Sequence, residues 1–484
     1  MKSYDVVFLH PPRIFETLKL RKLLSEKLGF KKEGVKPQYC QMPMGVLSLA
    51  ASLDEKGYSV KIFNLGLEQK INPFFNLNRY VRSLNAKVYA IDLQWFVHSA
   101  SALTVAEICK KEHPDSLVVL GGMTATWFHT QIMKRYQFID AIVLGEADLS
   151  MPQLVDSYIG GRKMHEVKGI TYRQNGKIKQ TPMGGVLSNL DSIDPCRLDL
   201  VDKYDRYLRC DIIYCGEEKA NFFWIPIARG CVYDCAHCGG GRYSYGLLTG
   251  REKVALRSPK RIAYDIQTLH EKGVKRIHLS HDPEIGGKRY YSSLFEEVKK
   301  TGVDLSVYVE IFRLPEREFV EKITQTFHEV VMAISPETFS EDVRQLIGRP
   351  FSNHALFESL DLLRKKGVKT QVWFTIGLPG EKLDMKWFED FKSFFEEIVK
   401  RGAYVIPPLT YTIDPNCLLA IENEKYGIRL LLKTFEDYKR ICSSDNPLDW
   451  VGHETQTASR QKILAFTALA YNYVTHFQRF HEGT

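Results

Sequence analysis

Apolar residues in this chain come in short runs separated by helix-length amphipathic segments, and the pattern occurs twice. A run too short for a helix and lacking a polar face suits a strand buried on both sides, and an intervening helix carries the chain back to begin the next strand in the same direction. Parallel sheets covered by helices follow. In the first half the runs are Val6 to His10, Ser59 to Asn64, Val88 to Leu93, Leu117 to Leu120 and Ala141 to Leu144. Helices are expected over Met44 to Lys56, with Pro43 in the first turn, Gly57 as the stop and Val46, Leu47, Ala50 and Leu53 as the buried stripe, and over Ala100 to Lys111. Residues 1–160 should form a doubly wound parallel sheet whose ligands sit at the carboxyl ends of the strands. In this chain those ends carry His10-Pro11-Pro12, Gln94-Trp95-Phe96, Gly121-Gly122-Met123-Thr124-Ala125 and Gly145-Glu146.

The second half repeats the pattern with six runs: Ile225 to Ala228, Arg276 to Ser280, Leu305 to Ile311, Val330 to Ile334, Gln371 to Ile376 and Ala403 to Ile406. Ser258 and Pro259 cap a helix stopped at Gly273, and Asn353 is expected to cap one stopped at Gly367. Six βα units make an open, partial (β/α)6 barrel over residues 221–410 rather than a closed eight-fold one. Between the two lies a connecting segment, 161–220, with a hairpin turning at Asn175-Gly176. Residues 411–484 read as helical, with Phe466, Tyr471, Tyr473 and Phe477 at helical spacing, either packed in a core or covering the open side of the barrel. The fold class is therefore α/β: a Rossmann- or flavodoxin-like sheet, a partial TIM-like barrel and a helical C-terminal tail.

At the first exit of the second unit stands Cys231-Val-Tyr-Asp-Cys235-Ala-His-Cys238, preceded by Gly230 and followed by Gly239, Gly240 and Gly241. Three thiols this close can converge on one iron–sulfur cluster, and because a [4Fe-4S] cluster takes four ligands, one iron is left for another partner. Cys235 and Cys238 alone would suit half a zinc site or a redox dithiol, but the third cysteine and the lack of a second closely spaced pair favour the cluster. Cys196, Cys210 and Cys215 could ligate a second cluster, but their irregular spacing favours isolated thiols. Ten cysteines in 484 residues are no disulfide framework, and together with the lack of a membrane span or a signal-peptide pattern they place the protein in the cytoplasm. The net charge of +8 is spread over short pairs such as Lys31-Lys32, so no nucleic-acid partner is expected.

The cysteine pattern, with its apolar lead-in and His237 before the last thiol, resembles the signature of the radical S-adenosylmethionine (SAM) enzymes. Resemblance to that family implies that Cys231, Cys235 and Cys238 hold the cluster, that SAM caps the free iron, and that an electron from an external flavodoxin- or ferredoxin-like donor cleaves SAM to a 5′-deoxyadenosyl radical. Ile334-Ser-Pro-Glu337 with Gly348-Arg349 is similar to the family stretch in which Glu337 and Arg349 would hold the ribose hydroxyls and the carboxylate of SAM. Phe374 to Glu381 is similar to the fifth-strand motif, which adds Ile376, Gly377 and Glu381 to the implied SAM site. Tyr411 to Asn416 with Glu424 to Ile428 resembles the sixth-strand ending. Ser280 to Glu284 stands where the family's second-strand motif would hold the SAM amino group.

Over residues 4–160 the four loops, in their order, resemble the cobalamin-binding domain that precedes the radical SAM domain in one branch of that family. The resemblance implies that Gly121, Gly122, Thr124, Gly145 and Glu146 contact cobalamin. The cobalt-ligating DxHxxG pattern is absent, and His10 and His98 read as packing residues. The plain alternative is a flavodoxin-like domain whose site is empty or used for docking. Together these resemblances imply cobalamin-dependent methylation of an unactivated carbon. Radical rearrangement, cyclisation or carbon–carbon coupling without cobalamin is the first alternative, and a non-catalytic iron–sulfur electron-transfer or sensing protein the second. The substrate expected is a small molecule, lipid or peptide, and no residue selects among them.

Overall fold

In the computed structural model, residues 3–12, 40–72, 74–210 and 220–481 are described. Strands β1 (Ser3–His10), β2 (Val60–Asn64), β3 (Asn85–Asp92), β4 (Leu117–Gly121) and β5 (Ala141–Val143) are parallel, in the order β2-β1-β3-β4-β5. Alternation along β1 sends Val6 and Phe8 into one hydrophobic layer with the helix Met44–Glu55, and Val7 and Leu9 into the other with the helix Ser99–Glu112. Positive φ at both Asn175 (49°) and Gly176 (73°) closes the hairpin of β6 (Ile170–Gln174) and β7 (Lys177–Gln180). This hairpin joins β5 antiparallel, so the first sheet has seven strands and extends into the stretch read as connecting segment.

The second sheet is built from β8 (Phe222–Ile225), β11 (Arg276–Leu279), β12 (Ser306–Ile311), β13 (Glu329–Glu337), β14 (Lys369–Phe374) and β15 (Tyr404–Val405), all parallel and in sequential order. The short antiparallel pair β9 (Ala228–Arg229) and β10 (Ala255–Leu256) ties together the chain on either side of the cysteine loop. Outward residues of these strands pack under the barrel helices, while Trp224, Tyr308, Val331, Ala333 and Trp373 form a separate layer inside the barrel. The edge strand β15 is sealed by the helix Arg460–His481: Gln478 accepts a hydrogen bond from Val405 N at 2.8 Å and donates to Val405 O at 2.9 Å. The aromatic stripe of that helix packs on the helix Met385–Lys400, with Phe466 against Trp387 and Tyr473 and Phe477 against Phe395.

Two expectations are corrected. Ser352, not Asn353, caps the helix Asn353–Lys365: its Oγ accepts from Ala355 N at 3.1 Å, while Asn353 is occupied by Arg344 and by Phe339 O. The tail is not wholly helical, because β16 (Ile428–Leu430) and β17 (His453–Thr455) pair antiparallel, and three-residue strands are too short to leave a period in the sequence. Between them the helix Phe435–Cys442 returns to the first sheet, where Phe435 and Tyr438 pack on Phe128 and Tyr438 also on Phe96. No helix among the described residues is long and apolar enough to cross a membrane.

Candidate active site

The carboxyl ends of the first sheet face the second across a cavity of about 380 Å³. One wall is formed by Asp92, Gln94, Gly121, Gly122 and Gly145, the other by Ala228, Gly230, Gly240 and His281. Gly122 has φ +106°, and a Cβ there would lie 2.7 Å from Gln94 Cα, so only glycine lets the β3 and β4 exits close on each other. Thr124 is buried in that seam, its Oγ1 donating to Gln94 O at 3.1 Å. It ties the two loops together from behind the wall. Gly145 approaches the helix Arg242–Thr249 so closely that a Cβ would meet Leu248 O and Thr249 Cα at 3.2 Å.

Glu146 lines the cavity, but its oxygens are taken. Arg251 Nε and Nη2 donate to it at 2.5 and 2.7 Å, Arg229 at 3.1 Å and Tyr245 Oη at 3.1 Å. Arg229 also holds Asp148 at 2.5 and 2.9 Å. The predicted cofactor contact is thus a buried ionic clamp between the two units. His10 is wholly buried: its Nδ1 lies 2.9 Å from Asp92 Oδ1 and its ring 5.0 Å from that of His98.

The cysteine loop hangs from three sides. Ala236 N donates to Ile347 O at 2.9 Å, Asn416 Nδ2 to Gly239 O at 2.7 Å, and Tyr411 Oη to His237 O at 3.3 Å. Tyr233 N points at Cys231 Sγ (3.4 Å) and Gly240 N at Cys238 Sγ (3.3 Å), the way backbone amides support thiolates. Arg313 lies on the ring of Tyr233, 3.8 Å from its centroid, and donates to Cys235 Sγ at 3.7 Å and to Gly348 O at 2.8 Å. Burial raises the Cys231 thiol and pushes Cys238 up to about 12, which favours the neutral thiols until a positive partner such as iron stabilises the thiolates. Cys196 and Cys210 lie elsewhere. Cys196 Sγ reaches Asp265 O at 3.7 Å, Cys210 Sγ reaches Arg206 O at 3.4 Å, and Cys215 falls outside the described residues.

Residues 225–391, the span from the end of β8 past β14, match the family model of the Radical SAM superfamily, and residues 34–155 match that of the B12 binding domain. The chain joins a B12-binding domain to a radical SAM domain. The radical SAM domain brings a [4Fe-4S] cluster and SAM as cofactors, and the B12-binding domain brings cobalamin. Among solved structures, the radical SAM methyltransferase TsrM of Kitasatospora setae, with cobalamin and [4Fe-4S] cluster bound, superposes with a TM-score of 0.68 at 14% identity over 98% of this chain and 89% of that one. The cobalamin-dependent radical enzyme OxsB superposes with a TM-score of 0.62 at 12% identity over 96% of this chain and 66% of that one. Both share the fold. In sequence, an uncharacterized methyltransferase of Pyrococcus horikoshii is 26% identical over 70% of each chain. The anaerobic magnesium-protoporphyrin IX monomethyl ester cyclase of Rubrivivax gelatinosus is 28% identical over 57% of this chain and 48% of the cyclase, so the match spans about half the cyclase.

At the strand exits of the radical SAM domain, Glu337 and Arg349 come together. Glu337 Oε1 lies 3.3 Å from His237 Nε2 and 3.7 Å from Arg349 Nη2, and Thr375 Oγ1 donates to Oε2 at 2.5 Å. Burial would raise this carboxyl, but His237, Arg349 and Thr375 outweigh it and hold it at about 2. Arg349 Nε and His237 Nδ1 are buried without partners among the described residues, and such orphaned donors suit a polar ligand. Ile376 is buried in the core, so only its backbone can face a cofactor. Gly377 sits at φ +93° against Ile463. Glu381 spends one oxygen on its own loop, accepting from Gly377 N and Leu378 N at 2.9 and 3.0 Å, and the other on Thr338 Oγ1 beyond β13 at 2.8 Å. At the second-strand position, Asp282 accepts from Glu284 N and Phe312 N, both at 2.9 Å, which leaves His281 facing the cavity. Arg313, Asn416, Arg229 and Arg251 were not foreseen. Asn416 ends the sixth-strand motif without having been given a role, the others lie outside the cofactor motifs, and the Arg229-Gly230 step before the first cysteine hints at one of them.

Proposed function

We propose that the protein is a cobalamin-dependent radical SAM methyltransferase acting on an unactivated carbon. The observation that carries this reading is the cavity, with B12-type loops on one wall and Gly230 and Gly240, which flank the cysteine loop, on the other. Cys231, Cys235 and Cys238 would hold the cluster through three irons. Glu337 and Arg349 would bind the ribose and carboxylate of SAM, and the backbone of Ile376 and Gly377 the adenine. Gly121, Gly122 and Gly145 would form the floor under cobalamin, with Thr124 bracing it and Glu146 locking the two units. When bound, the cluster and SAM supply a 5′-deoxyadenosyl radical and cobalamin supplies the methyl group. The protein's part is to hold these groups in one enclosed space, orient them and exclude water. The methyltransferase names of the Pyrococcus relative and of a cytidylyl-2-hydroxyethylphosphonate methyltransferase of Streptomyces wedmorensis (20% identical over 70% of each chain) support the reaction class. The cyclase relatives favour radical cyclisation as the second reading. A small-molecule, lipid or peptide substrate, a flavodoxin- or ferredoxin-like donor and a cytoplasmic setting complete the proposal.

The test is anaerobic reconstitution with iron, sulfide and hydroxocobalamin. The expected protein shows a stoichiometric cobalamin spectrum and releases 5′-deoxyadenosine from SAM, while Cys235→Ala loses the cluster absorption and the cleavage but keeps cobalamin. SAM cleavage without cobalamin uptake would favour the cyclisation reading, and no calorimetric SAM binding would favour an iron–sulfur protein without catalysis.

A further inference from the structure

Glu310 stands on β12 with its side chain turned into the barrel. Its neighbours Val309 and Ile311 belong to the outer core and are 0% and 2% exposed, whereas Tyr308, on the same face as Glu310, is part of the inner layer. At the start of the strands Phe222, Arg276 and Ser306 are all buried. Glu310, near the carboxyl end of β12, is exposed. Beside it in register on β13 is Ala333, whose methyl leaves room, and the indoles of Trp224 and Trp373 are partly exposed in the same layer. Tyr308 Oη donates to Glu310 Oε1 at 3.1 Å, and no ion pair reaches the carboxylate among the described residues. Partial desolvation by the surrounding barrel wall raises its carboxyl, and the charges acting on it are Arg349 and Glu337, the proposed SAM-holding pair. Tyr308 engages only Oε1, so among the described residues Oε2 is left open to a cationic group on a ligand. Aromatic walls suit the same kind of ligand.

We propose that Glu310 is the substrate-selecting residue of the barrel, pairing with an ammonium or guanidinium group on the substrate. This rests on the radical SAM reading above and specifies the substrate class that reading leaves open. The experiment uses the full chain with its cluster and SAM, titrated at pH 8 by calorimetry with phenethylamine, with 2-phenylethanol and 3-phenylpropionate as neutral and anionic counterparts. The amine is expected to bind at least tenfold more tightly than either. Glu310→Gln should abolish that preference with cluster content and SAM affinity unchanged, and Glu310→Asp should retain it. Equal binding of the three probes to the wild-type protein overturns the inference, as does an amine preference that survives in Glu310→Gln. A loss of SAM affinity in Glu310→Gln as large as its loss of amine affinity would make Glu310 a SAM contact and also overturn it. Wild-type protein that fails to take up a cluster or to bind SAM would instead sink the functional reading, so the two failures are separable. Should Glu310→Gln not load a cluster, the wild-type comparison of the three probes decides.

Discussion

Glu337 adopts φ +67°, a left-handed conformation that costs a non-glycine residue of order 1–3 kcal/mol. The strand register shifts between Ile334 and Glu337, and Thr375 N donates to Glu337 O at 2.8 Å, so the bulge that strains the backbone also aims the carboxylate at His237 and Arg349. Glu337→Gln keeps the shape and removes the charge. It should weaken SAM binding by about tenfold or more, as expected for losing a charged hydrogen bond, with cluster content unchanged by absorption spectroscopy. A second prediction concerns pH. Burial, reinforced by the Asp282 charge, raises Glu284 from 4.5 to about 8. A carboxyl raised on folding contributes stability that is complete below 4.5 and is lost as pH rises through about 8. Melting curves should therefore show wild-type protein losing ground to Glu284→Gln between these limits. Glu337 and Arg349 could be singled out because both sit in motifs of fixed spacing, although neither motif announces that the two side chains meet. The role of Asn416 was not legible, because its contact with Gly239 closes over 177 residues and depends on the whole barrel having formed.

Elements with a period of their own were readable from the residues, and the twelve-residue helix Met44–Glu55 and the parallel strands lie close to where the apolar runs place them, except that β8 ends at Ile225, where the run Ile225 to Ala228 was expected to begin a strand. Elements set by partners were not. The β16–β17 pair and the switch of cap from Asn353 to Ser352 depend on neighbours that no local pattern announces. Two element-scale predictions follow from close approach. Gly122→Ala forces a side chain into a glycine-only conformation against Gln94, so it should cost about 1–3 kcal/mol and reduce cobalamin uptake, measured by denaturation and by bound-cobalamin absorbance. Gln478→Ala uncovers the Val405 amide and carbonyl on the barrel's free edge. Hydrogen exchange at Val405 should accelerate, with a stability loss of about 1–3 kcal/mol.

The two units share one continuous core, with Val6 and Phe8 of the first in the same cluster as Phe223 and Ile225 of the second. Across their polar seam Glu146 and Arg251 have side chains only 3% and 5% exposed. Arg251→Ala would remove two charged hydrogen bonds from Glu146 and leave it to Arg229 and Tyr245, at a cost of about 1.5–3 kcal/mol. Limited proteolysis should then cut between residues 180 and 220, and cobalamin retention should fall while cluster loading persists. The return of the helix Phe435–Cys442 onto Phe128 bears on how the molecule is made. At ordinary translation speeds the ribosome needs roughly 15–60 s to travel from Phe128 to Phe435. For that interval the aromatic seat for this helix emerges without its cover, so final assembly waits on late synthesis, and a holdase chaperone captured on stalled nascent chains should be released once Trp450 itself has emerged from the exit tunnel.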